Sequence, residues 1–77
     1  MSRVTVAIDV GQLARAGGNG DRFSATTELG GASICTYGST QNEAERRAKG
    51  AILRHLGNLL ERGAVELDEV RFRTKTA

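Results

Sequence analysis

One histidine, one cysteine and nine carboxylates are the groups in this 77-residue chain that could carry catalysis or hold a metal, and their spacing favours neither. His55 has no cysteine or carboxylate at the short intervals from which a metal site on one element is built. Cys35 and Tyr37 share a strand face, but nothing local supplies the cationic surroundings that lower a thiol pKa. Asp9 ends a strand, a place where two-metal nucleases put an acid, yet that chemistry needs several carboxylates converging on the ions. Asp9 and Glu28 are too few. Gly17-Gly18-Asn19-Gly20 matches the clamp motif of one RNA-binding module, which sets it between two helices; here it falls between strands and reads as a connector. No catalytic residue, metal site or cofactor is expected. What remains is binding chemistry: the basic row Arg71, Arg73 and Lys75, with Arg3 beside it and Tyr37 as a stacking surface.

Those side chains have to be positioned by regular elements, and a helix over residues 40–62 is the best marked of them. Thr40 and Glu43 form a capping box, in which hydroxyl and carboxylate satisfy backbone donors of the first turn. Ala44, Ala48, Ile52, Leu56, Leu59 and Leu60 recur at three- and four-residue steps and predict one apolar face. Glu43 with Arg47 and Glu45 with Lys49 are acid-before-base pairs at four-residue spacing. Gly63 supplies the stop. Gly50 and Gly57 each cost about 1 kcal/mol relative to alanine in a helix interior. They lie with Arg46 and Leu53 on a stripe away from Ile52, where a second copy of the chain could approach closely; this stripe is the candidate dimer contact.

Strands account for the rest. Arg3 to Val10 alternates, with Val4, Val6, Ile8 and Val10 on one side. Residues 11–21 hold four glycines and read as a long flexible loop. Gly30-Gly31 suits the positive backbone angles of a tight hairpin; a two-residue loop sets Leu29 opposite Ala32, Thr27 opposite Ile34 and Ala25 opposite Thr36, so that Phe23, Ala25, Leu29 and Ile34 share a face. After the helix, Leu67 to Lys75 alternates again, with Leu67, Val70 and Phe72 toward a core. The order is β-β-β-α-β, and the crossover helix lets the last strand lie parallel beside the first. The expected fold is α+β: a single four-stranded mixed sheet with one helix on one face. Its second face, lined by Arg3, Thr5, Ser24, Thr26, Cys35, Tyr37, Arg71 and Arg73, is left uncovered.

Composition narrows the setting. Seventy-seven residues predict a single domain (1–77), and a chain this small buries only about 60% of its unfolded surface. With two phenylalanines, no tryptophan and one cysteine, no internal disulfide is expected and self-association or a partner should help stability. The first residues lack the pattern of a secretory signal and no apolar run is long enough to cross a bilayer, so a cytoplasmic protein with no membrane partner is expected. The net charge of +2 selects no class of partner.

Thr40-x-x-Glu43-Ala44, followed by Ala51-Ile52 and Leu56, resembles the helix of the HicB-type antitoxin domain, where T-x-E-E-A leads into A-I-x-x-x-L. Leu29-Gly30-Gly31 and Gly38 ahead of Thr40 resemble that family's L-P-G hairpin and its glycine before the helix. The likeness spans roughly residues 3 to 73. It implies a partial RNase H-type topology and a non-catalytic protein that binds and masks a small ribonuclease toxin, with Arg71, Arg73, Tyr37 and Arg3 on the contact face. Two other readings compete. A β-β-β-α core also occurs in double-stranded RNA-binding domains, where lysines at the final helix start grip phosphates; here that segment is Gln41-Asn42-Glu43-Ala44-Glu45, whose acids suit the helix dipole and oppose a phosphate. The same small fold would also serve a phage- or host-encoded inhibitor of an unrelated target.

Overall fold

The computed structural model describes residues 3–15 and 20–76. Within them β1 (Arg3–Gln12), β2 (Phe23–Leu29), β3 (Ala32–Gly38), α1 (Gln41–Glu61) and β4 (Glu69–Thr76) follow in that order. They form the expected α+β fold, one four-stranded mixed sheet in the order β3-β2-β1-β4 with a single helix.

Each junction follows from local chemistry. Gly30 and Gly31 have φ of 58° and 85°, the paired left-handed angles of a two-residue hairpin turn, and β2 and β3 pair in the expected register, Leu29 with Ala32, Thr27 with Ile34 and Ala25 with Thr36. Thr40 is the N-cap, its hydroxyl accepting from the Glu43 amide at 3.1 Å. The other half of the expected capping box is replaced: the Glu43 carboxylate takes the Ser39 hydroxyl at 3.2 Å and Arg47 at 3.0 Å. The helix closes with the Gly63 amide donating to the Leu60 carbonyl (3.1 Å) and the Ala64 amide to that of Leu59 (2.9 Å), with Gly63 at φ 71°. This is the glycine-terminated arrangement that satisfies the last free carbonyls.

Three further expectations need correcting. The connection after β1 is shorter than 11–21, because Gly11 and Gln12 stay in the strand opposite Ser24 and Phe23 and the Leu13 amide still reaches the Arg22 carbonyl at 2.8 Å; residues 16–19, including most of the glycine clamp motif, lie outside the described residues. Leu60 is exposed rather than in the core. Adjacent helical residues diverge by about 100°, so Leu59 and Leu60 cannot both face the sheet, and Leu59 does. The last strand begins at Glu69, not Leu67. Leu67 and Val70 are three residues apart and cannot share one face of a strand; Leu67 packs against the core from the segment before it.

The core is the contact between Val6, Ile8 and Val10 of β1, Ala25 of β2, and Ala44, Ala48, Ile52 and Leu56 of α1. Small residues at 44 and 48 let the helix start sit close to the sheet. Gly38 takes this furthest: a Cβ there would lie 2.6 Å from the Ala44 nitrogen. The buried Thr27 hydroxyl donates to the Ala7 carbonyl at 2.6 Å, which satisfies a polar group inside the core. The helix lies chiefly over β3 and β2 and less over β1, so β4 is held mainly by its parallel ladder with β1, from Arg3–Glu69 to Val10–Thr76.

Candidate functional site

The helix leaves one side of the sheet bare, and that side is where the candidate binding residues stand. Alternation along each strand turns Thr5, Ala7 and Asp9 of β1, Thr26 and Glu28 of β2, Ser33 and Cys35 of β3, and Arg71, Arg73 and Lys75 of β4 outward, and all are exposed. Ser24 shares the face but is half-buried. The centre carries short side chains. Thr5, Ala7, Thr26, Ser33 and Cys35 line a shallow concavity of about 560 Å³ that also takes in Asp9 and Glu28. A second hollow adjoins it along β4, bounded by Ala7, Asp9, Arg73, Thr74 and Lys75.

The structure brings three of the four candidate contact residues together and sets the fourth apart. Arg3 pairs with Glu69 along the ladder, and Arg71 and Arg73 pair with Thr5 and Ala7, so the three arginines occupy the β1–β4 corner. Tyr37 pairs with Ser24, and Ser24 with Gly11. From Arg71 it is therefore three strands away, about 14 Å, and offset by six residues, roughly 20 Å, along the sheet. Tyr37 is 46% exposed. Its phenol is held above the usual value by its side-chain hydrogen bond with Cys35 first and the charge of Asp21 last, so it stays protonated at neutral pH and can donate. Its backbone carbonyl accepts from the Arg47 guanidinium at 2.7 Å.

Glu69 is the residue that spacing alone did not single out. One of its carboxylate oxygens meets Arg3 Nε at 3.2 Å and the other meets Arg71 Nε at 2.8 Å. The signal was present, since Glu69 and Arg71 are two apart on one strand face. The arginine corner is thus partly neutralised, and Asp9 and Glu28 place further negative charge in the middle of the face. This is a mixed surface with a positive margin on β4.

Arg46, Gly50, Leu53 and Gly57 share an outward stripe of α1, with Leu53 50% and Leu60 43% exposed. Cβ atoms added to Gly50 or Gly57 would meet nothing within 4 Å, so nothing inside the chain requires glycine there. Two contacts tie the flank of the helix next to this stripe to β4: the Thr74 hydroxyl donates to Glu45 at 2.6 Å, and the Lys49 ammonium, 3.1 Å from Glu45, sits 5.6 Å from the Phe72 ring centre. The Thr74 and Lys49 hydrogen bonds hold the Glu45 carboxyl below the usual range.

His55 is half-buried on the helix. Among the described residues, no three His, Cys, Asp or Glu side chains gather where they could hold a metal ion, and no helix is long and apolar enough to cross a membrane. Compared with known proteins, the chain matches no family model, no curated protein and no solved structure.

Proposed function

We propose that this protein is a non-catalytic binding module of the antitoxin type, which docks its bare sheet face on a partner protein, such as a small ribonuclease toxin, and inhibits it by occlusion. The observation that carries this reading is the four-stranded face itself, hollowed at its centre by short side chains and edged by Arg71, Arg73 and Lys75. A shallow recess with both signs of charge suits a folded partner with complementary groups, since charge complementarity sets specificity and encounter rate. The HicB-type motifs, Thr40-x-x-Glu43-Ala44 and the Gly30-Gly31 hairpin, support the same reading, and with them go a cytoplasmic location and self-association.

The nucleic-acid alternative rests on the basic row, and Glu69 counts against it. A polyanion draws affinity from counterion release by unpaired cations, whereas Arg3 and Arg71 already share a carboxylate. The test is capture of a partner by the tagged full-length chain, identification of that partner by mass spectrometry, and assay of its ribonuclease activity with and without the chain. Native protein should suppress that activity, and the Arg71→Glu, Arg73→Glu double variant should bind it more weakly with an unchanged circular dichroism spectrum. Equal affinity of the double variant would remove the assignment of this face. Retention of duplex RNA or DNA that weakens steeply with salt, without any protein partner, would favour the alternative.

A further inference from the structure

The two edges of the sheet are unlike. β3 lies under the helix, and Arg47 takes the Tyr37 carbonyl. β4 has β1 on one side, and among the described residues no strand pairs with its other side over the eight residues Glu69–Thr76. An edge strand that presents its backbone donors and acceptors is a template for another strand. Its inner face is also incompletely covered. Val70 and Phe72 are only half-buried, because α1 is displaced toward β2 and β3, and Leu53 and Leu60 stand exposed on the helix beyond Lys49, the residue that reaches Phe72. Unpaired backbone and unfinished core coincide on one side of the molecule.

We infer that this edge is completed by β4 of a second copy, paired antiparallel about a two-fold axis at Arg71. The sequence of the strand is complementary to itself in that register. Val70 falls opposite Phe72 of the second copy, and Phe72 opposite its Val70, giving two β-branched–aromatic pairs on the inner face. On the outer face Glu69 falls opposite Arg73 of the second copy, and Arg73 opposite its Glu69. The like pair at the axis is Arg71 with Arg71, and each of these already holds its own Glu69 at 2.8 Å. Moving the axis to Phe72 sets Arg71 against Arg73 twice, which cancels the two Glu69–Lys75 pairs it forms, and leaves Val70 opposite Thr74. Moving it to Val70 carries Phe72 opposite Asp68, beyond the end of the strand. A shift by a single residue turns the inner side chains to the wrong face. The contact is isologous, as closed two-fold dimers require, and it joins two sheets edge to edge, so both bare faces stay open to a partner. Between the two surfaces for self-association, the edge offers backbone hydrogen bonds, whereas the Gly50 and Gly57 stripe offers only the exposed Leu53 and Leu60 side chains.

Sedimentation velocity of the full chain, from low micromolar to submillimolar concentration, should show reversible doubling of mass. Arg73→Glu, at an exposed position, should raise the dimer dissociation constant on the order of tenfold, because two opposite-charge pairs become like-charge pairs. In a Cys35→Ser background, Arg71→Cys should form an intermolecular disulfide on mild oxidation, whereas Thr26→Cys, in the middle of the bare face, should not. A monomer throughout the concentration range overturns the inference. So does a dimer indifferent to Arg73→Glu, or one linked through the Thr26→Cys thiol, which would mean sheets stacked face to face.

Discussion

Replacing Gly38 by alanine should cost more than its chemistry suggests. The residue is not held at positive φ, since that group comprises Gly20, Gly30, Gly31 and Gly63 among the described residues, so the effect is steric rather than conformational. The added Cβ would lie 2.6 Å from the Ala44 nitrogen and 3.0 Å from the carbonyl carbon and Cβ of Glu43. Relief requires a movement of roughly 1 Å to reach ordinary van der Waals separation. The atoms in the way are the first turn of the helix, fixed by the Thr40 cap and by the Thr36 hydroxyl, which donates to the Ala44 carbonyl at 2.9 Å. Overpacking of this kind costs about 1–3 kcal/mol, and each kcal/mol lowers the melting temperature of a domain this size by roughly 4–8 °C. Gly50→Ala and Gly57→Ala make the same chemical change where nothing lies within 4 Å, and each should stabilise by up to about 1 kcal/mol without altering the sedimenting mass. Urea denaturation followed by circular dichroism reads all three variants on one scale. If Gly38→Ala fell within about 0.5 kcal/mol of the native chain, the close approach of helix and β3 would not be what demands glycine at that position.

Thr27→Val keeps the shape of the side chain but leaves the Ala7 carbonyl without its 2.6 Å partner, and should destabilise by about 1–2 kcal/mol in the same titration; an unchanged midpoint would mean the bond contributes nothing net. Because the folded state lowers the Glu45 pKa below its ordinary 4.5, the unfolded chain binds the proton more readily. The contribution of that charge is therefore full above pH 4.5 and lost as pH falls through the lower folded value. The stability difference between native protein and Glu45→Gln should shrink over that acid range, and a constant difference would refute the linkage. Glu69→Gln should release Arg3 and Arg71 from their shared carboxylate, increasing retention on duplex DNA at low salt and steepening its salt dependence; identical retention would show that Glu69 does not neutralise the corner.

Features decided within a few residues of each other were legible in the sequence. The Thr40 cap, the Gly63 stop and the Gly30-Gly31 turn each depend on one or two residues with special backbone or capping properties, and the strand register follows from the turn. The topology was legible too, because a meander followed by a crossover helix leaves few places for β4. The lateral position of the helix was not, since it is set by which small residues let backbones approach: Ala44, Ala48 and Gly38 crowd its start onto β3. Period alone predicts a core position for Leu60, where the structure leaves it exposed, and the opening beside β4 follows only from the packed position of the helix. The candidate site was half legible. Alternation gave the face, but the distance of Tyr37 from the arginines depends on strand order and stagger together, and the double role of Glu69 depends on β1 and β4 being neighbours.

The neutralised corner bears on what kind of partner the bare face can select. With both oxygens of Glu69 engaged, the guanidinium groups of Arg3 and Arg71 are held in place on either side of one carboxylate, and each retains nitrogens beyond the Nε that it commits. A phosphate backbone would gain little there, because it would compete with Glu69 for cations that are already paired. On the proposed function a protein partner differs in its second contact: while its carboxylate takes N–H groups that Glu69 leaves free, a basic group of the same partner meets Asp9 or Glu28 across the hollow, which an all-anionic backbone cannot supply. Exposed ion pairs contribute only about 0–1 kcal/mol each to the stability of the fold, so the Arg3–Glu69–Arg71 arrangement is weakly accounted for as a device for folding. Under the proposed function its consequence is one of recognition: groups already paired with one another lose less freedom on contact than unpaired ones would.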